Sequence, residues 1–179
     1  SEQILTGEKI FLTYQDENLK EIKIPKNAQA LTKIYGYRNS KIDSISDLDT
    51  LVLENSITGS SLNSSFKNGK LNSIRIRGMA KTLYHVFEDS IYKGKNKASG
   101  DSMIMTFSEN ILDHIEVYGG SEGQYIPDSI SNDIKSKINY SSDKITYMLN
   151  TRVTNFKGNT DIQFEDTNLK AGYVSVNWK

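Results

Sequence analysis

The sequence predicts an all-β protein, a jellyroll-like stack of antiparallel hairpins. Three observations carry this reading. The first is alternation. Residues 100–125, GDSMIMTFSENILDHIEVYGGSEGQY, hold two strand-like pieces around a polar turn. Met103, Met105 and Phe107 share one face of the first piece, and Ile115 and Val117 share one face of the second. Successive side chains of a strand point to opposite faces, so apolar residues at every second position mark a half-buried strand. The second observation is turn chemistry: Lys67-Asn68-Gly69-Lys70 is an Asn-Gly hairpin signal. The third is repetition, because the chain states the same pattern several times.

In chain order, the first copy spans 7–28. It places Ile10, Leu12, Tyr14, Leu19, Ile22, Ile24 and Ala28 at the pattern positions. Pro25 follows Ile24 and cannot donate to a ladder, so this strand is expected to stop there or to lie at an edge. Residues 35–55 carry the extra length between copies and read as a long loop or a short extra element. The second copy, 59–84, matches the first at an offset of 52 and the third, 100–125, at an offset of 41. Its Leu62, Phe66, Leu71, Ile74 and Ile76 take the places of Met103, Phe107, Leu112, Ile115 and Val117. Gly78, Gly119 and Gly158 mark a point where each strand bends or lets backbone approach closely.

Residues 1–127 therefore form one repeat region. Residues 128–142 separate it from a further repeat at 143–179. Ile130, Ile134 and Ile138 recur every fourth residue, which fits one short helix near 128–138 or a polar linker. In the last segment Val174, Val176 and Trp178 take the places of Met103, Met105 and Phe107. Ile74 and Ile76 alternate with Arg75 and Arg77. One face is apolar and one is wet, as in antiparallel sheet. No hairpin of this kind buries its apolar face alone, so neighbours must stack.

Composition narrows the function. Lys plus Arg and Asp plus Glu both number 22, a net charge of zero, which gives no argument for a nucleic-acid partner. There is no cysteine, hence no disulfide framework and no thiolate metal site. No apolar run approaches the ~18 residues that span a bilayer. The chain starts without a basic-then-apolar leader and ends within a strand pattern, so a piece of a longer protein is expected.

Catalytic and metal signals are weak. His85 and His114 lack any paired metal-ligand spacing and read as surface or strand-end residues. The segment from Asp43 to Glu54 follows a calcium-loop spacing in part, but Ile45 stands at its third position and Leu48 where the turn glycine belongs. The pairs Glu88-Asp89 and Glu165-Asp166 sit at turns with no nucleophile beside them. No nucleophile elbow, P-loop or dinucleotide fingerprint occurs. The expected protein is not an enzyme and needs no cofactor. Lys93, Lys95, Lys97, Lys67 and Lys70 read first as solvated hairpin or edge lysines and second as contacts to lipid phosphates.

The chain resembles the OstA-like family of lipopolysaccharide-transport proteins. The residues that carry the resemblance are KGKNKASGDSM at 93–103, SEN-x-LD-x-I-x-VYGGSEGQY at 108–125, YIPDSI at 125–130 and KGNTDIQFEDTNLKAGYVSVNW at 157–178. It implies a V-shaped β-jellyroll whose apolar interior holds the acyl chains of lipid A. It also implies a periplasmic location in a Gram-negative-type envelope and head-to-tail joining of modules, copies of itself included, through edge strands. Energy would come from a partner pump. The inward, lipid-facing residues expected on this basis are Ile10, Leu12, Ile22, Ile24, Leu62, Ile74, Ile76, Met103, Met105, Phe107, Ile115, Val117, Val174, Val176 and Trp178. Methionine's adaptable thioether suits a wall facing variable chains. The alternative is a structural or adhesive β-repeat module with a closed core.

Overall fold

The computed structural model describes residues 3–42, 45–130 and 134–178, with 39–42 and 45–48 described by backbone alone. Within these residues the chain is all strand and turn. The strands in order are β1 (Gln3–Thr6), β2 (Phe11–Gln15), β3 (Asn18–Ile24), β4 (Ala28–Ile42), β5 (Ile45–Gly59) and β6 (Ser61–Lys67). They continue with β7 (Lys70–Glu88), β8 (Ile91–Ser108), β9 (Ile111–Pro127), β10 (Ile138–Met148), β11 (Val153–Phe164) and β12 (Thr167–Asn177).

One meander, β2-β3-β6-β7-β8-β9-β10-β11-β12, is antiparallel throughout. Each long strand from β7 to β12 bends in its middle, so the sheet folds along a corner into two walls. Wall one is the half with β2, β3 and β6. Wall two continues from the other half of β7 to β5, β4 and β1. A single parallel bridge, Tyr37 to Ile91, ties β4 to β8. The result is the all-β, jellyroll-like fold expected from the alternation, folded along its corner into a V.

The corner is built by backbone chemistry that repeats. The register shifts between Arg77 and Ala80, between Ser99 and Ser102, between Ser142 and Lys144 and between Lys157 and Thr160. At these bulges Gly78-Met79, Gly119-Gly120 and Gly158-Asn159 all take positive φ. A bulge adds a residue to one strand and bends it, and glycine enters this region without the Cβ penalty. The first copy follows suit with different residues. β3 stops at Ile24, as Pro25 requires, yet the chain still turns into wall two, with Asn27 at φ 51°. Glu8 N–H donates to Lys26 O just as Ser60 N–H donates to Gly78 O.

Across the corner, each repeat places a residue without a side chain against a branched one. A Cβ at Gly7, Gly59 or Gly100 would collide with the side chain of Ile24, Ile76 or Val117 respectively. In the last repeat Ser142 stands at the corner, and its hydroxyl reaches Lys157 O at 3.0 Å, Gly158 O at 2.9 Å and Thr160 Oγ1 at 3.1 Å. Small buried residues, Ala28, Ala80, Ser121, Ser142 and Thr160, line the crease on the wall-two side. Only small side chains fit where two close-packed walls converge.

Four of the hairpin turns use two residues at positive φ. Asp16-Glu17, Asn68-Gly69, Asp89-Ser90 and Glu109-Asn110 are all of this kind, the geometry that matches the twist of the flanking strands. The β10–β11 and β11–β12 turns use one each, Arg152 and Glu165.

Three expectations are corrected. Residues 35–55 do not form a loop but lie in a hairpin of two 15-residue strands, β4 and β5; Asp43 and Ser44, part of the partial calcium spacing, lie outside the described residues. This hairpin leaves β7 after Leu83 and crosses the end of the β7–β8 hairpin. There Gly36 packs on the Phe87 ring, Tyr37 N–H donates to Ser90 O, and Arg38 pairs with buried Asp128 at 3.0 Å. The helix near 128–138 is absent from the described residues: Asp128 and Ser129 form a turn, 134–137 are irregular, and 131–133 are not described. A spacing of four is also a multiple of two, and Ile138 serves as a strand residue opposite Tyr125 and Phe164. The separating segment thus ends before Ile138 rather than at 142.

Candidate functional site

Two rows of side chains face each other inside the V. In wall one the row Ile24–Leu62–Ile76–Met103–Val117–Ile145–Phe156–Val174 runs residue opposite residue through eight strands. Every member but Val174 is essentially buried, with Ile24, Ile76, Met103, Val117 and Ile145 at 0% exposure. In wall two the facing row is Ala30–Ile57–Thr82–Ala98–Gly123–Tyr140–Ile162. Its middle is made of Thr, Ala and Gly. The Tyr140 ring lies over Gly123, where any Cβ would collide with it, and packs edge-on against Phe156 with centroids 5.3 Å apart.

Large residues therefore seal the V near the corner. Farther out, small wall-two residues leave a groove of about 470 Å³, within the range of about 300–1,000 Å³ typical of small-ligand sites. Thr82, Tyr84, Val86, Asn96, Ala98 and Tyr125 line it from wall two. Ile115, Tyr147, Met148, Leu149, Val153 and Thr154 line it from wall one.

The mouth is charged and aromatic. Arg152, from the β10–β11 turn of wall one, pairs with Glu88 at the tip of the β7–β8 hairpin of wall two. Lys93 approaches the same carboxylate at 3.5 Å. The Arg152 hydrogen bond holds the Glu88 carboxyl below the usual range. Trp178 closes one side, its ring 5.8 Å from that of Tyr125 and its Nε1 donating to Thr154 Oγ1 at 2.8 Å.

The expected lipid-facing residues fall into four groups. Ile24, Leu62, Ile74, Ile76, Met103, Met105 and Val117 are packed at the crease, where they form core. Ile115 and Trp178 line the groove, while Ile22, Phe107, Val174 and Val176 are half-buried along wall one. Ile10 and Leu12 are corrected as buried positions: they are 46% and 54% exposed. Leu12 is in register with Ile22, but β2 ends the ladder and has a neighbour on one side only.

Sequence reasoning missed the wall-two lining. Gly94, Asn96 and Ala98 alternate with Lys93, Lys95 and Lys97, a period-two signal written in size and charge rather than hydrophobicity. His85 and His114 sit apart. Buried His85 contacts Asn55 Oδ1 through Nδ1 at 3.1 Å, and burial followed by the Lys95 charge lowers its pKa. His114 lies beside Asp113 at 2.8 Å, on a different strand. A second, larger trough of about 720 Å³ lies on the outer face of wall two. It is lined by Lys81, Lys97, Glu122, Gln124, Asn139 and Gln163 and lacks the apolar enclosure of the groove. No family model matches the chain, and neither does any curated protein or solved structure.

Proposed function

We propose that this chain is a non-catalytic lipid carrier. On this reading its groove holds acyl chains of an anionic amphiphile, lipid A of lipopolysaccharide in the first instance, within a periplasmic bridge to the outer membrane. The observation that carries the reading is the groove itself: a largely apolar slot between two walls whose rim carries Arg152 and Lys93 beside Glu88. Acyl chains gain from burial in such a slot at about 25 cal/mol per Å² of apolar surface. The rim cations suit phosphate or carboxylate groups, Arg152 as a planar fork and Lys93 as a point charge. The resemblance of 93–130 and 157–178 to the OstA-like pattern points the same way.

Partners are proposed at the ladder ends. β2 and β12 each leave one edge unpaired among the described strands, and open edges accept strand addition from another module. β2 also exposes Phe11, Leu12 and Tyr14 at 53%, 54% and 60%. That cluster equally favours the second reading, an interaction module that binds a partner along its edge and leaves the groove empty.

Solvent extraction of the purified protein followed by mass spectrometry separates the two. Co-purified lipopolysaccharide or phospholipid is expected. Lipid-free protein that also takes up no added lipopolysaccharide would leave only the edge-binding module.

A further inference from the structure

The tips of the two walls are each tied within their own wall. On wall one, Trp178 N–H donates to Arg152 O at 3.0 Å and Trp178 Nε1 donates to Thr154 Oγ1. The β10–β11 turn and the end of β12 therefore form one unit. On wall two, Lys93 Nζ lies 3.5 Å from Glu88 Oε2, and Tyr125 Oη donates to Lys93 O at 2.9 Å. The β7–β8 hairpin and the end of β9 therefore form another.

The two units meet across the mouth of the groove. Arg152 pairs with Glu88, and the Trp178 ring lies 5.8 Å from that of Tyr125. All four residues line the groove. Both bridges run obliquely, one from β7 to the β10–β11 turn and the other from β9 to the residue just past β12.

These cross-mouth contacts are of a weaker kind than the packing at the crease. The Arg152 and Glu88 side chains are 42% and 44% exposed, so water competes for both charges and the pair adds little to the fold. At the crease Ile24, Ile76, Met103, Val117 and Ile145 are all at 0% exposure, and separating them would open a cavity. Moving the walls apart at their tips breaks the ion pair and the ring contact. It leaves each unit's own hydrogen bonds and the crease intact.

We propose that the Glu88–Arg152 pair, with Tyr125–Trp178 beside it, is a clasp that opens to admit an acyl chain sideways through the mouth and closes over it, as lids do over buried ligands. This rests on the lipid-carrier reading and adds the route of entry: the chain enters across the mouth and is not threaded from an end of the V.

The chain has no cysteine, so Glu88→Cys combined with Arg152→Cys gives a pair that a short bis-maleimide can join across the mouth. The probe is cis-parinarate, a polyene fatty acid whose fluorescence rises in apolar surroundings, mixed with the full chain by stopped flow. Linking the empty double variant should slow uptake about tenfold or more, and linking it after loading should slow release by a similar factor. The same variant capped with N-ethylmaleimide, which cannot bridge, should exchange freely. Arg152→Gln needs no linker. It removes the ion pair and should speed uptake by up to about fivefold, the range that an exposed pair provides, whereas an arginine that merely attracts the carboxylate would leave uptake slower when lost. If the linked protein exchanges the probe as fast as the capped one, or if Arg152→Gln does not speed uptake, the clasp is overturned while acyl binding stands. If no form of the protein binds the probe, wild type included, the lipid-carrier reading fails with it.

Discussion

The two walls share strands, hairpins and a corner, yet they differ in what they present to each other. Wall one offers Ile24, Leu62, Ile76, Met103, Val117, Ile145 and Phe156 in one unbroken row. Wall two offers Thr82, Ala98 and Gly123 at its centre. A protein whose only need was stability would fill both rows, because interiors pack as densely as organic crystals. Here one wall supplies the bulk that holds the V together near its crease, and the other supplies the absence of bulk that opens a groove farther out. Stability and capacity are thereby assigned to different strand halves of the same polypeptide.

The contrast can be broken at wall one. Phe156→Ala removes a ring that is 1% exposed and packs on Tyr140, and should cost about 3–5 kcal/mol in urea unfolding. A loss under about 1 kcal/mol would mean that the walls are not in packed contact there. The corner is the next most sensitive place. A Cβ at Gly100 would meet Val117 Cγ1 at 2.7 Å and the Tyr118 carbonyl oxygen at 2.8 Å. Backbone cannot step aside as a flexible side chain can, so Gly100→Ala should cost about 1–3 kcal/mol.

Wall two should behave in the opposite way. Thr82→Leu projects bulk into the groove. Acyl-chain binding should fall about tenfold or more, the equivalent of about 1.4 kcal/mol, while unfolding stability changes by less than about 1 kcal/mol. Equal losses of binding and stability would erase the distinction between the walls.

A smaller effect is expected from pH. The folded chain favours neutral His85, whose pKa is lowered from 6.5 by burial and then by Lys95. Between the folded and unfolded values the unfolded chain binds more protons, so stability is full above about pH 6.5 and declines as pH falls below it. Thermal unfolding from pH 7.5 to 5 should show this decline, and His85→Gln should flatten it. Glu88, Asp113 and Glu116, whose pKa values are lowered, lose their stabilisation at lower pH, below the ordinary carboxylate values of 3.8 to 4.5. The smallest effect is expected at the ladder end: Leu12→Ala, on a residue 54% exposed, should stay within about 0.5 kcal/mol.

Wall one was legible because hydrophobic alternation states it directly. The offsets of 52 and 41 placed Ile24, Ile76 and Val117 at one pattern position, and the register sets them in one row. Gly78, Gly119 and Gly158 marked the corner for a local reason, since the bulge needs positive φ. Wall two was hidden because its inward face is small or polar. In KGKNKASG, at 93–100, the lysines read as solvated hairpin or edge residues, and the Gly94–Asn96–Ala98 face between them carries no large apolar side chain to mark it as inward. The β4–β5 hairpin was hidden for a related reason: its serines, asparagines and aspartates suggest turns, and 15 ladder pairs override that local preference. Isoleucines four apart fit a helix and a strand equally, and tertiary pairing decided for the strand at Ile138.

The division between walls also decides where a probe of function belongs. Met105 and Ile76 are 3% and 0% exposed, so a photoreactive residue there would meet protein rather than ligand. The direct test is photo-crosslinking with lipopolysaccharide from Val86, which lines the groove, against Arg75, exposed on the outer face of wall one. A lipid adduct is expected from Val86 and none from Arg75. Adducts from both positions alike, or from neither while the protein stays folded, would contradict it.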